Sequence, residues 1–486
     1  MPGFEIRHGH FLPSPPLGLQ PSDAASALCF LQQFIVGAVA TLATVTAGMT
    51  LGYSAVTLPA MQTADRVSEE QASWIASLST IATPIGCLLT GVLLDCLGRR
   101  RTLMLVNAPA VVGWILIATA LHSEPWLLYQ VYAGRLLTGV ATGMSSSPAT
   151  VYVSEVADKS LRGMMVTWSS VGISLGILLV YVIGYLFPDN WRLVAGITTC
   201  FPVASVIATW FLLPESPVWL VSRGRIEEAQ TSMRLIRSVP EDTSLSESLQ
   251  QELDVALARE DQQDSWKDTL GFLKRPEAYK PLLVMNAFFF FQQFSGIFVV
   301  VFYAVSIVQE TGSHLDGYLA TVLIGVSRLA TTVAISVASR RCGRRALCNA
   351  SGLGMTLSIW ALALYLTLAH DGTVSRGMYG WWPITSLVLY ILTSTVGFLT
   401  LPWAMIGEVF PARIRGPACG VTTCLAYLFS FVTLKLYPEM KLLWGNHGLF
   451  TFYTAMALAG TACMYACLPE TRGRSLAQIE DHFRGL

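Results

Sequence analysis

Gln292 and Gln293 stand side by side about a dozen residues into an apolar run, and Arg328 lies at the middle of another. A primary amide donates and accepts hydrogen bonds at once. Two amides at that depth are not expected to face lipid; they either meet a ligand or tie helices together. Charged residues recur with regular spacing. Glu155 precedes Arg162 by seven residues and Glu408 precedes Arg415 by seven. Asp95, Arg99 and Arg100 share the segment GVLLDCLGRR, and Glu215 and Glu470 share the strings LPES and LPET. Charges of this kind at helix ends should be paired. Pairs that close in one state and part in another would form a gate, and permanent pairs would be helix clips. No nucleophile with a base, no metal-ligand spacing and no nucleotide loop occurs, so neither an enzyme nor a cofactor is expected.

The elements that must hold these residues follow from composition. Hydrophobic residues make up 53% of the 486 and charged residues 13%, and the mean hydropathy is +0.53. A soluble domain carries roughly 25% charge, so the apolar surface here is expected to face lipid. The net charge of +0 gives no reason to expect a nucleic-acid partner. A bilayer crossing takes roughly 20 apolar residues. Such runs fall at 31–56, 73–94, 102–121, 127–150, 163–187, 193–213, 281–309, 316–338, 346–369, 383–406, 417–437 and 447–468. The polar stretch 214–280 between the sixth and seventh reads as short amphipathic helices. The expected organisation is therefore an N-terminal segment 1–30, a six-helix half 31–213, a helical linker 214–280, a second half 281–468 and a tail 469–486. Residues 1–26 are polar and proline-rich and are not expected to be a signal peptide. Short loops on one side carry thirteen Lys and Arg against five on the other, which predicts cytosolic termini. The ten cysteines lie in apolar runs or beside arginine clusters and are expected to be free thiols.

The two halves repeat one another. LGRR recurs as CGRR at an offset of 245 residues, Glu155 recurs as Glu408 at 253, and LPES recurs as LPET at 255. Two six-helix halves of one topology are what a parallel-repeat transporter requires, with its substrate at the midplane between them. GxxxG spacings at Gly48/Gly52, Gly139/Gly143 and Gly172/Gly176 predict close helix packing.

The strings GVLLDCLGRR, GRLLTGVATG, YVSEVADKSLRG, PESPVWL, QQFSGI, LPWAMIGEVFPARIRG and PETRGRSL, in this order over about residues 30 to 480, resemble the sugar porters of the major facilitator superfamily. Within that family the chain looks most like animal glucose facilitators and insect facilitated trehalose transporters. The resemblance implies an all-α membrane protein of twelve transmembrane helices in two six-helix halves, alternating access and a sugar-class substrate. It also implies binding roles: Gln292 and Gln293 match the family's paired glutamines, Trp403 a tryptophan on the sugar ring, and Tyr303 a gate tyrosine. Other family positions depart: Ser170 replaces a glutamine, Phe298 an asparagine and Thr423 the asparagine of an Asn-Trp pair, and the GPIPW motif reads LTLPW at 399–403. These residues would shape the pocket. Proton-coupled members carry an aspartate after a Gly-Tyr or Gly-Phe pair in the first helix; here Gly52-Tyr53 is followed by Ser54, which cannot titrate.

Arg328 is some 18 Å from either end of its helix, too far to snorkel, and glucose facilitators have an asparagine or glutamine there. Either its guanidinium bonds carbonyls and hydroxyls such as Ser327 and replaces the amide as a donor, or an uncompensated cation selects an anionic substrate. The expected function is uncoupled transport of a small sugar or polyol, in the plasma membrane. Transport of an organic anion such as a sugar acid stands as one alternative and a non-transporting sugar sensor as another. Known sensors of this fold usually carry a long cytosolic tail, and 18 residues follow Leu468.

Overall fold

In a bilayer the backbone must satisfy itself, which leaves helices as the only open-chain solution. The structure, a computed structural model, describes residues 4–7, 10–13, 21–65, 67–121, 125–158, 161, 164–237, 275–338, 342–372, 379–411, 414–472, 474 and 476–485. Among them nine helices are long and apolar enough to cross a membrane. Ten of the expected runs fall on these nine helices in order, and the runs at 127–150 and 281–309 are each divided among consecutive helices. Span 1 is the helix Pro21–Ala64, span 2 Glu69–Leu97, span 3 Arg99–Ala118, span 5 Trp168–Leu186 and span 6 Trp191–Leu212. Span 8 is Gly317–Ala338, span 9 Arg344–His370 and span 10 Trp382–Val409. Span 4 runs through Trp126–Met144 and Pro148–Val156, and span 7 through Pro276–Phe294, Ile297–Phe302 and Ala304–Glu310. Spans 11 and 12 are the two arms of Arg415–Cys467, which bends at Gly445 where φ is +65°. Only glycine takes that conformation cheaply.

Two features differ from the sequence expectation. Span 1 starts ten residues before residue 31, as the helix Pro21–Ala64. A two-stranded antiparallel hairpin, Phe4–Arg7 (β1) with His10–Pro13 (β2), precedes it, so among the described residues all regular structure but this pair is helical. Within 214–280 the helix Ile226–Arg237 falls in the stretch RGRIEEAQTSMRLIRS read as helical, and a short helix Pro217–Ser222 precedes it. The second such stretch, QQELDVALAREDQQDSWKDTL, lies with the rest of 238–274 outside the described residues.

Local chemistry starts the helices. Ser68 and Gln71 close a capping box at the start of span 2. The Asn190 side chain accepts from Leu193 N–H at the start of span 6.

Where a span borders lipid it turns small and polar residues inward and large apolar ones outward, as span 8 does. On span 8 the buried face is Ala320, Thr321, Ile324, Gly325, Arg328 and Thr332, while Val326, Val333 and Val337 are exposed. Without water to expel between helices, packing and interhelical hydrogen bonds must hold the bundle. Spans 1 and 5, and spans 2 and 4, therefore meet along the GxxxG stripes. Two seams join the halves: span 2 lies beside span 11, with Trp74 against Phe431, and span 5 lies beside span 8. All ten cysteines are free.

A methyl on Gly176 would lie 2.0 Å from the Val45 carbonyl oxygen, whereas nothing lies within 4 Å of one on Gly91. Gly176→Ala should therefore destabilise the detergent-solubilised protein by roughly 1–3 kcal/mol, the usual cost of overpacking. Gly91→Ala should leave the thermal midpoint unchanged or slightly higher. Equal midpoints for the two variants would contradict this packing.

Candidate functional site

Spans 7 and 10 are interrupted, and each break frees backbone groups that must be bonded inside the membrane. Span 7 breaks at Ser295-Gly296, with Gly296 at φ +87°. Tyr390 Oη, from span 10, donates to the Ser295 carbonyl at 2.7 Å, and Tyr181 Oη, from span 5, donates to the Val301 carbonyl at 2.7 Å. Span 10 breaks at Gly397–Thr400, where Gln292 Nε2 donates to the carbonyls of Phe398 and Leu399 at 2.7 and 3.1 Å. The Phe398 N–H donates to Ser351 Oγ at 2.9 Å. Interrupted helices at mid-depth are where transporters of this construction hold substrate.

The two adjacent amides have different surroundings. Gln292 is fully buried and its amide nitrogen joins span 7 to span 10. Gln293 Nε2 donates weakly to Gln292 Oε1 at 3.4 Å, and Gln293 Oε1 is buried with no protein donor. Gln292 thus takes the interhelical role, and Gln293 presents an unused acceptor.

The Trp403 ring, half-buried, meets Phe289 edge-on at 4.8 Å and Tyr427 at 5.6 Å. Phe298 is buried and faces Phe302. Ser170 is exposed and Thr423 half-buried, and neither side chain makes a hydrogen bond among the described residues. Tyr303 is buried beside Tyr437 at 4.5 Å, and its hydroxyl donates to the Leu434 carbonyl at 3.4 Å.

Arg135 in span 4 was not singled out from the sequence. It is fully buried, and each of its three guanidinium nitrogens donates. Nε donates to Ile75 O at 2.9 Å, Nη1 to Thr50 O at 3.0 Å, and Nη2 to Ser54 Oγ at 3.0 Å and Ser79 Oγ at 2.9 Å. All of these partners are neutral. The depth argument applied to Arg328 would have found it, since it too lies inside an apolar run.

The charged groups at the span ends form the same network twice, and in the second half the partner of Glu408 differs from the one expected. Glu155 receives Arg99 Nε at 3.0 Å on both oxygens, Arg99 Nη2 at 2.7 Å, and the Ser216 hydroxyl. Glu408 receives Arg344 Nη2 at 2.9 Å and Thr471 Oγ1 at 2.9 Å, while Arg415 donates to the Phe410 carbonyl instead. The expected Glu408–Arg415 pair is therefore not formed; Arg344 reaches Glu408 first. Arg162 lies outside the described residues.

Glu215 Oε1 accepts the backbone N–H groups of Arg99 and Arg100 at 2.9 and 3.1 Å. Glu470 does the same for Arg344 and Arg345 at 2.9 and 3.1 Å. A carboxylate there satisfies the orphan donors and the positive dipole of a helix N-terminus. Partial burial works to raise the Glu470 pKa; the N–H groups of Arg472, Arg344 and Arg345 outweigh it and hold the carboxyl below its usual range. Gly98 and Gly343 give the room, since a methyl on either would strike the Glu215 or Glu470 carboxylate at 2.6 or 2.5 Å. Arg100 and Arg345 complete the repeat, donating to the carbonyls of Trp210 and Tyr465, each at 2.6 Å. Asp95 is exposed and contributes its backbone carbonyl, which accepts from Trp219 Nε1 at 3.0 Å and from Arg223. These bonds lie within one half or the other.

On the opposite face the halves touch directly. Lys435 Nζ donates to Ser73 Oγ at 2.8 Å and lies 4.4 Å from the Trp74 ring centre. A space of about 60 Å³ remains there between Leu58, Gln62 and Glu69 of the first half and Tyr303, Glu310 and Lys441 of the second. Ligand pockets run to about 300–1,000 Å³, so this face is closed.

The sequence pattern of the family described as "Sugar (and other) transporter" matches residues 24–483. The chain belongs to that family. A facilitated trehalose transporter (Tret1-2 homolog) of Drosophila simulans is 32% identical over 470 residues, 96% of this chain and 93% of that protein. The facilitated trehalose transporter Tret1 of Culex quinquefasciatus is 31% identical over 467 residues, 95% of this chain and 87% of that protein. The inward open form of the xylose transporter XylE from E. coli superposes with a TM-score of 0.76 at 21% identity, covering 93% of this chain and 99% of that one. The fold is thus that of the major facilitator transporters, and the protein is a multi-pass integral membrane transporter rather than an enzyme.

For a sugar transporter of this family, Ser54 is the informative position. Ser54→Asp places a carboxylate beside Arg135 Nη2 in a low-dielectric site. Uptake by that variant should become dependent on pH from mildly acidic to neutral conditions, while wild-type uptake stays flat. A flat profile for both would mean that this position does not control proton dependence.

Proposed function

We propose that the protein is an uncoupled carrier that moves a small sugar or polyol across the plasma membrane by alternating access, with both termini cytosolic. The observation that carries the uncoupled reading is the Arg135 cluster. A proton-coupled carrier needs a group that takes up and releases a proton as the cavity opens and closes. Here the mid-depth cation of the first half is bonded to two carbonyls and two hydroxyls, and Ser54 stands at the acid's place.

Substrate lies between the broken spans 7 and 10. Gln293 accepts a sugar hydroxyl through its unused Oε1. The Trp403 ring packs on the apolar face of the sugar, and Phe298, Thr423, Ser170 and Tyr303 bound the space. Asp95, Arg99, Arg100, Glu155, Arg162, Glu215, Glu408, Arg415 and Glu470 act at the cytosolic gate. The Arg99–Glu155 and Arg344–Glu408 networks hold each half rigid as it rocks. The closed face carrying Lys435 and Ser73 is the outer one, so the conformation described faces inward.

In proteoliposomes, labelled trehalose, glucose and xylose are the first panel. The preferred sugar should equilibrate to the external concentration and stop, with or without an imposed pH gradient. Accumulation above that level, abolished by an uncoupler, would refute the uncoupled reading. Gln293→Ala should raise half-saturation about three- to tenfold at unchanged thermal midpoint, as expected for losing one hydrogen bond from a partly dry site. Gln292→Ala should instead lower the midpoint, because two carbonyls of the span 10 break lose their donor. Reversal of that division would exchange the two roles.

A further inference from the structure

Two arginines lie deep in the membrane, one in each half, and the structure treats them oppositely. Arg135 is surrounded by four acceptors. Arg328 is 7% exposed, yet its guanidinium makes no hydrogen bond to any described residue, and its Nε is buried without a partner. Every Asp and Glu among the described residues lies at a span end or in a loop, so no carboxylate sits at its depth.

Hydroxyls near it in sequence or along the seam are already engaged. Ser327 Oγ donates to Leu323 O, Thr332 Oγ1 bonds Ser174 Oγ at 3.0 Å, and Tyr181 Oη donates to Val301 O. The side chain lies on the face of span 8 that meets span 5. Gly325 there packs against Tyr181 and Leu178, and Thr332 one turn beyond Arg328 bonds across to Ser174. Arg328 therefore sits on the seam between the halves, beside the Ile297–Phe302 segment of span 7 that Tyr181 anchors. A buried cation with no acceptor is costly unless an anion completes it, and a guanidinium presents a planar fork that fits a carboxylate on two N–H groups at once.

We infer that Arg328 is a specificity-determining residue that receives the carboxylate of a sugar acid, so that the site prefers a monoanionic, hexose-sized solute to its neutral counterpart. The inference rests on the reading of the central site as a sugar site and names the class of sugar. Gln293 Oε1 and Trp403 hold the hydroxylated ring while Arg328 holds the acid group. Charge-assisted hydrogen bonds favour the acid by about ten- to a hundredfold. Carrying a net charge also makes transport sensitive to voltage: 100 mV shifts the equilibrium distribution of a monoanion about fifty-fold and leaves a neutral sugar unaffected.

The test uses the full chain in proteoliposomes, as wild type, Arg328→Gln and Arg328→Lys, with D-glucuronate and D-glucose as probes. Wild type should take up glucuronate with half-saturation ten- to a hundredfold below that of Arg328→Gln, and a potassium-valinomycin potential should shift its distribution. Arg328→Gln should keep or gain glucose uptake, and Arg328→Lys should retain part of the preference for glucuronate. Equal loss of both solutes in Arg328→Gln, or no change in either, overturns the inference, and wild-type glucose uptake would then leave the sugar-carrier reading standing. Stabilisation of purified wild type by glucuronate, read as a thermal shift larger than that with glucose, provides a measure independent of variant folding and of turnover. No such shift overturns the inference. Chloride or acetate competing as well as unlabelled glucuronate would make the site one for a bare anion and would equally overturn it.

Discussion

A polar group inside a bilayer has no water to fall back on, and this constraint orders the whole molecule. Helices satisfy most backbone groups. Where span 7 opens, tyrosine hydroxyls from spans 5 and 10 reach the freed carbonyls, and where span 10 opens, the Gln292 amide does so. Arg135, which donates from all three guanidinium nitrogens at mid-depth, ties spans 1, 2 and 4 into a unit through the same necessity. Among the buried polar atoms left without a partner, Gln293 Oε1 and Arg328 Nε are two beside the broken span 7 that a ligand would complete.

Charge at the membrane edge is handled by duplication. Arg99, Glu155, Glu215, Ser216 and Trp210 of the first half correspond to Arg344, Glu408, Glu470, Thr471 and Tyr465 of the second, bond for bond. Each network fastens three or four spans of its own half together. The seams between halves are different in kind: Tyr181 with the Val301 carbonyl, Ser174 with Thr332, Trp74 with Phe431, and Lys435 with Ser73 are single contacts with no carboxylate–guanidinium pair among them. Strong bonding within halves and weak bonding between them is the mechanical condition for two rigid bodies to rock about a ligand.

Much of this was legible in the residues. Apolar runs and the repeat of LGRR, Glu155 and LPES point to a helical membrane transporter with related halves, because hydrophobic length and repetition are properties of the linear chain. The exact partners were not. Spacing pairs Glu408 with Arg415, seven residues on, but Arg344, at the start of span 9, is the one whose backbone Glu470 holds in place. Separation along the chain could not rank those competitors. Gln292 and Gln293 likewise read as equals, and only the path of the broken span 10 tells the bonded amide from the open one. Arg135 was visible by the depth rule and missed because its neighbours in GRLLTG look like packing residues.

The account stands or falls on whether the halves move as units. Cys96 and Cys342 are exposed, one in each half beside the duplicated networks. With the other cysteines replaced, spin labels on this pair report the separation of the halves. Labels on Cys96 and a Thr231→Cys variant, the latter on the linker helix Ile226–Arg237 that packs against span 1, report the rigidity of the first half. Pulsed electron-resonance distances in lipid nanodiscs should show the Cys96–Cys342 distribution shifting when saturating substrate is added, with the Cys96–Thr231 distance unchanged. A shift in both pairs together, or in the internal pair alone, would contradict rocking of two rigid halves.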